Sequence, residues 1–287
     1  MAFGAKGFPF AINAPCFPSK RLYPLVNLYI RISDIELCFA TYEVGAAQSF
    51  QFSTFRMQPS ASLTVNLRMA MQQVDLLRQQ QFSKVEVYVN APVTPVPLAE
   101  FQEEDAETIY NYCFTPGEKQ RVFYDTVPAS NAVLLFALSE ATCRTLEEAF
   151  EGVSVRFAAS LTPIVQHFAK KGLAIAADRR VFVYTHDTTL DIVVLEESRL
   201  VMLNTYQVRT LTDADYYLFN LMHHLGLSTA DTPIFVAGTP LMRNPLIEEL
   251  QKYAAKVYPV NPSAEFNRHT ISTTEGVPYD LMCALLK

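Results

Sequence analysis

The chain has 287 residues, 50% of them apolar and 18% charged, enough to bury the core of one large domain or two ordinary ones. Its 23 basic and 29 acidic residues leave a net charge of −6, which argues against nucleic acid as a partner. Five dispersed cysteines (Cys16, Cys38, Cys113, Cys143 and Cys283), with no CxxC spacing, argue against a disulfide framework or a zinc site. The longest apolar run, Ala132 to Leu138, is far shorter than the ~20 residues of a membrane span. No leader pattern is seen at the N-terminus, and a cytoplasmic protein is expected.

Residues 1–23 read as an irregular lead-in interrupted by Pro9, Pro15 and Pro18, with Phe3, Phe8, Phe10 and Phe17 packing onto a domain or marking a partner surface. Three strands follow at Leu25–Ile32, Glu36–Tyr42 and Ser49–Phe55, divided by Ser33-Asp34 and Gly45. Leu63, Leu67, Ala70, Met71, Val74 and Leu77 recur at helical spacing, which predicts a helix over Ser62–Gln81 with Ser60 or Ser62 as its cap. Lys84–Asn90 alternates as a strand, closed by Pro92, Pro95 and Pro97. A helix is predicted over Phe101–Phe114, where Glu103, Glu104 and Asp105 suit the dipole at its start. Strands at Arg121–Thr126 and Ala132–Leu138, a helix at Glu140–Phe150, a strand at Val153–Ala158 and a helix at Leu161–Lys171 complete the first half.

The order then restarts. Strands are predicted at Arg180–Tyr184, Leu190–Glu196 and Leu200–Val208. A helix follows over Asp213–Leu225, capped by Thr212 or Asp213 and ended by Gly226. A strand at Pro233–Ala237, a helix at Asn244–Tyr253, a strand at Lys256–Val260 and a short terminal helix over Tyr279–Leu286 complete the second half. The reading is an α/β chain with a duplicated β-β-β-α-β-α-β unit, divided at 1–175 and 176–287, with two mixed sheets and flanking helices around a central cleft.

That element order resembles the actin-like ATPase fold, a duplicated ribonuclease H-like architecture shared with the type IV pilus platform protein. Pro59–Leu67, Phe101–Tyr110, Tyr216–Phe219 and Tyr258–Arg268 resemble a bacterial family of that fold without an assigned function. The resemblance implies a site for ATP and Mg²⁺ between two hairpin corners and a Gly-rich turn. The corresponding residues here are Ser33 and Asp34 in the first corner, His186, Asp187, Thr188 and Thr189 in the second, and Gly238 and Thr239 in the turn. Neither corner holds a glycine, Ile35 would crowd a phosphate, and Pro240 removes a backbone donor. Both corners also read as ordinary polar turns. No metal site is expected, and catalysis is disfavoured. The expected function is a degenerate nucleotide-binding or non-catalytic interaction platform with a protein partner; the alternative is an active Mg-ATP-dependent ATPase or small-molecule kinase.

Other constellations carry less. A two-metal nuclease would need Asp34, Glu36, Asp187 and Asp191 in one place and a basic track. His223-His224 fit a helix C-terminus better than a metal site, and His167 fits a helix stripe. Cys113 and Cys143 are placed in apolar helices. The polar segment Asn261–His269 is either a contact loop or a hydrogen-bond hub in which Arg268 meets Glu265.

Overall fold

A computed structural model of the protein describes residues 26–42, 50–78, 81–115, 119–171 and 177–286. The lead-in 1–23 with its four phenylalanines, Cys16, and Gly45 lie outside the described residues.

The first half opens with an antiparallel meander, β1 (Val26–Ile32), β2 (Glu36–Tyr42) and β3 (Gln51–Arg56). Helix α1 (Leu63–Gln73) begins where the Ser62 hydroxyl accepts from the Val65 amide at 3.3 Å, and it buries Leu67 and Ala70. It ends at β-branched Val74, whose extended backbone (ψ 112°) breaks the single helix expected to reach Gln81. One further turn, α2 (Asp75–Arg78), follows, then β4 (Phe82–Val89), parallel to β1.

Next come β5 (Thr94–Pro97), a 3₁₀ turn at Glu103–Asp105, α3 (Ala106–Cys113), β6 (Gln120–Val127) and β7 (Ala132–Ser139). These strands form a separate sheet in the order β5-β7-β6, an insertion that element order alone did not separate from the duplicated unit. Pro95 and Pro97, read as closing a strand, sit in the edge strand β5, where missing amide donors are tolerated. Cys113 is exposed at the last position of α3, and so is not the apolar-helix thiol expected. Helix α4 (Glu140–Ala149), β8 (Ser154–Ala159) and α5 (Leu161–Lys171) complete the half.

The second half runs β9 (Arg179–His186), β10 (Thr189–Glu196), β11 (Arg199–Gln207), α6 (Leu211–His224), β12 (Ile234–Gly238), α7 (Pro240–Leu250), β13 (Val257–Pro259), α8 (Pro262–Glu265), α9 (Thr270–Thr273) and α10 (Tyr279–Leu285). The cap of α6 is Thr210, two residues before the expected Thr212; Asp213 returns the bond in a capping box. The histidine pair His223-His224 falls in the last turn of α6, and Gly226 follows it at φ +63°.

Both major sheets are five-stranded and share one order: β3-β2-β1-β4-β8 and β11-β10-β9-β12-β13. The duplication extends to register. Each meander opens with a two-residue corner, Asp34-Ile35 and Asp187-Thr188. Each central strand also pairs in parallel at the same depth, Val89 with Ile32 and Gly238 with Thr185.

Helices α5 and α10 pack on each other and bridge the two sheets. Phe168 of α5 lies 4.9 Å from the Phe182 ring and 5.6 Å from that of Phe235. Tyr279 of α10 lies 5.8 Å from Phe182 and 6.0 Å from Tyr184. One apolar core therefore runs from the first sheet through both helices to the inner face of the second. A second core lies between the outer face of the second sheet and α6 and α7. The inserted sheet is anchored by Asp125 of β6, whose carboxylate accepts from the Ala159 amide at 2.8 Å and the Thr162 hydroxyl at 2.7 Å.

Candidate functional site

A cleft of about 760 Å³ opens where the two hairpin corners meet the β12–α7 turn and the loops around Asn261–Ser263 and Ser272–Pro278. Of the eight residues singled out from the sequence, His186, Asp187, Gly238 and Thr239 line it. Ser33, Asp34, Thr188 and Thr189 stand back from it. The Ser33 hydroxyl, 3% exposed, donates to the Glu36 carbonyl at 3.1 Å and closes the first corner. Asp34 points to solvent, and the cleft wall at that corner is Ile35 and Glu36. The Thr188 hydroxyl is spent on the Gln207 side chain at 3.0 Å, and Thr189 is buried.

The second corner carries the strongest electrostatics. Asp187 sits at φ +50°, a left-handed conformation that Asp tolerates better than most side chains. His186, 7% exposed, meets Asp191 Oδ2 through Nε2 at 2.8 Å, and Asp191 accepts from the Thr205 hydroxyl at 2.6 Å. On its other side, His186 Nδ1 is 3.7 Å from Asp187 Oδ2, and neither atom has a hydrogen-bond partner. Burial alone would lower the imidazole pKa, but Asp187 and Asp191 outweigh it and push it up to about 9. Burial acts to raise the Asp187 carboxyl, yet His186 and Arg31 hold it below its ordinary value.

Beneath the corners lies an ion pair absent from the sequence reading. Arg31 of β1 donates through Nε to Asp280 Oδ2 of α10 at 2.6 Å, with side chains 2% and 1% exposed. Asp280, in the first turn of α10, also accepts from the neighbouring Leu281 amide at 2.7 Å, a place where the helix dipole favours an acid. The available signal was a lone arginine between Ile30 and Ile32, since a charge inside a buried strand calls for a partner.

Gly238 is required by packing. At φ +141°, a Cβ there would come within 2.5 Å of the Thr185 carbonyl oxygen and 2.7 Å of its methyl group. Thr239 opens α7 through its carbonyl, which accepts from the Met242 and Arg243 amides at 3.0 and 2.8 Å, and its side chain makes no cap bond.

The polar segment Asn261–His269 is a hub around Glu265, but Arg268 is exposed and is not the residue that meets it. Glu265 instead pairs with Lys171, accepts from the Tyr279 hydroxyl at 3.0 Å and lies 3.1 Å from His167. Burial first, then Lys171 and Lys170, lower the His167 pKa to about 4. A second groove, about 720 Å³, lies at the other end of β9 and β12, where both cations are matched, Arg179 with Glu196 at 2.8 Å and Lys256 with Asp231 at 3.9 Å, and Asp178 adds a third acid. Among the described residues, no group of three or more His, Cys, Asp or Glu side chains could hold a metal ion, and no helix is long and apolar enough to cross a membrane.

No curated protein matches the chain. Among solved structures it is similar to a protein of Bacteroides thetaiotaomicron with an actin-like ATPase fold and unknown function, at 24% identity and TM-score 0.77 over 87% of this chain and 96% of that one. It is also similar to the PilM–PilN type IV pilus biogenesis complex, at 14% identity and TM-score 0.58 over 91% and 97% of the two chains. The likeness fixes the architecture as actin-like. The model of a family described as protein of unknown function (DUF3822) matches residues 24–257, and the chain belongs to that family.

Proposed function

We infer that the protein is a non-catalytic, cytoplasmic interaction platform, with the cleft retained from a nucleotide-binding architecture but refitted for a protein partner. One observation carries this reading: the buried Arg31–Asp280 pair, which ties the first sheet to α10 beneath the cleft. A guanidinium bound to a carboxylate at 2.6 Å is not available to a polyphosphate, and it holds a central-strand position that cannot also present a metal-binding acid.

Three further features favour the same reading. The exposed Ile35 side chain occupies the first corner, where glycine amides would be needed to approach phosphate. The close approach of Gly238 to Thr185 accounts for that glycine without a nucleoside. Five carboxylates (Glu36, Asp187, Asp191, Glu275 and Asp280) stand in or directly behind the cleft against three cations (Arg31, His186 and Arg243), a balance hostile to a polyanion. The division into 1–175 and 176–287 is retained as the two lobes of the platform.

Isothermal titration calorimetry with Mg-ATP tests this reading. No heat up to about 1 mM nucleotide is expected, a ceiling near −4 kcal/mol of binding free energy. Saturable micromolar binding would instead favour an active ATPase or small-molecule kinase working through Asp187.

A further inference from the structure

We propose that the cleft docks a short partner segment through one lysine or arginine side chain, flanked by apolar residues and seated against Asp187. The inference deepens the reading of the cleft as a protein-binding groove and rests on it.

The charges name the ligand class. Arg31 is answered by Asp280, and His186 lies between two carboxylates. Arg243 is committed to neutral acceptors, the Val260 carbonyl at 2.5 Å and Asn244 Oδ1 at 3.2 Å. Glu36 accepts only weakly, from the Cys38 thiol at 3.6 Å, and neither Glu36 nor Glu275 has a cation within ion-pair distance among the described residues. The cleft thus holds negative charge that its own residues do not neutralise, and a cationic side chain complements it.

A second observation marks the contact point. The Asp187 side chain is 8% exposed and borders the cleft, yet Oδ2 lacks a hydrogen-bond partner, as does Nδ1 of His186 beside it. Buried polar atoms are normally hydrogen-bonded, so an acceptor and a donor that meet only each other, across 3.7 Å, leave room for a ligand offering both. An arginine or lysine residue does so: its charged group donates to Asp187 while a peptide carbonyl accepts from His186. The remaining wall argues for a peptide over a small amine. Met242, Pro240, Pro262, Val277 and Met282 give it an apolar lining, and 760 Å³ is more room than one side chain fills.

Fluorescence anisotropy tests the proposal with a fluorophore-labelled, amidated Leu-Arg-Leu peptide and its Leu-Glu-Leu counterpart. The arginine peptide should bind at least about tenfold tighter than the glutamate peptide, and Asp187→Asn should weaken it by at least about tenfold. Asn suits the left-handed corner, so this variant keeps the fold, which its thermal melt verifies. Raising salt from about 50 to about 500 mM should weaken binding further. Equal affinity for the two peptides, no saturation up to about 1 mM, or full affinity in Asp187→Asn would overturn the proposal. Agmatine competing as well as the unlabelled arginine peptide would overturn the choice of a peptide. A silent Mg-ATP titration together with a silent peptide titration removes this inference alone, whereas Mg-ATP binding removes the platform reading beneath it.

Discussion

Arg31 and Tyr184 occupy the same position in the two halves of the molecule, each two residues before the paired site that closes its hairpin corner, opposite Cys38 and Asp191 respectively. The duplicated backbone thus carries a cation in one half and a phenol in the other, and Asp280 sits close enough to act on both. Burial opposes the Arg31 charge, and Asp280 more than restores it, holding the guanidinium above its ordinary pKa. Asp280→Ala would leave a fully buried cation unpaired and should cost about 3–5 kcal/mol in chemical denaturation. The double variant Arg31→Met, Asp280→Leu should recover most of that loss. A double variant as unstable as the single one would show that the pair does more than cancel its own charges.

Gly238 gives a sharper local test. Gly238→Ala must place a Cβ against the Thr185 carbonyl at a φ of +141°. The backbone strain alone costs about 1–3 kcal/mol, and the clash adds to it by prying β12 from β9. Gly226→Ala is the control, because nothing lies within 4 Å of its added methyl, leaving only the φ penalty at +63°. The melting temperature should fall further for the first variant than for the second, and a reversed order would refute the close-approach argument.

The duplication was legible because strand alternation and helix periodicity are local, and the helix over Leu161–Lys171 was read to the residue. The inserted sheet was not, because pairing β7 with β5 and β6 rather than with the main sheet is a long-range choice that no local pattern records. Half of the candidate site was legible for the same reason. Corner and turn residues announce themselves by type, so His186, Asp187, Gly238 and Thr239 could be singled out, and these four line the cleft. Which corner residue faces inward depends on how the corner closes, and Ser33 closes the first one by turning back onto Glu36, leaving Ile35 at the wall. The Arg31–Asp280 pair joins residues 249 positions apart and could not be read from spacing at all.

Asp125 holds the insertion in place. Its carboxylate is 2% exposed and receives the Ala159 amide, the Thr162 hydroxyl and, at 3.3 Å, the Arg156 guanidinium. Those donors mark the junction of β8 and α5, so a single acid joins the inserted sheet to the helix that bridges the halves. Asp125→Ala should strand the Ala159 and Thr162 donors and cost about 2–5 kcal/mol by denaturant titration, with hydrogen exchange rising first at β6 and the start of α5. Asp125→Asn keeps one acceptor oxygen and should cost less; equal losses would mean that charge matters there and hydrogen bonding does not.

The buried His186 and the half-buried His167 should titrate on opposite sides of neutrality. His186 has its folded pKa raised to about 9, above the unfolded value near 6.5, so its contribution is complete below about pH 6.5 and is lost as pH rises through 9. The amount at stake is on the order of 3 kcal/mol. His167 has the reverse sign. With its folded pKa lowered to about 4, it favours folding above about pH 6.5, and that contribution is lost as pH falls toward 4. Imidazole NMR titration should find His186 charged and His167 neutral at pH 7. His186→Gln should flatten the alkaline limb of the stability profile and leave the acid limb intact, whereas His167→Gln should soften only the acid limb. A His186 resonance titrating near pH 6.5 would show that Asp187 and Asp191 do not hold it as the geometry requires, and it would remove the charge on which the cleft's balance is drawn.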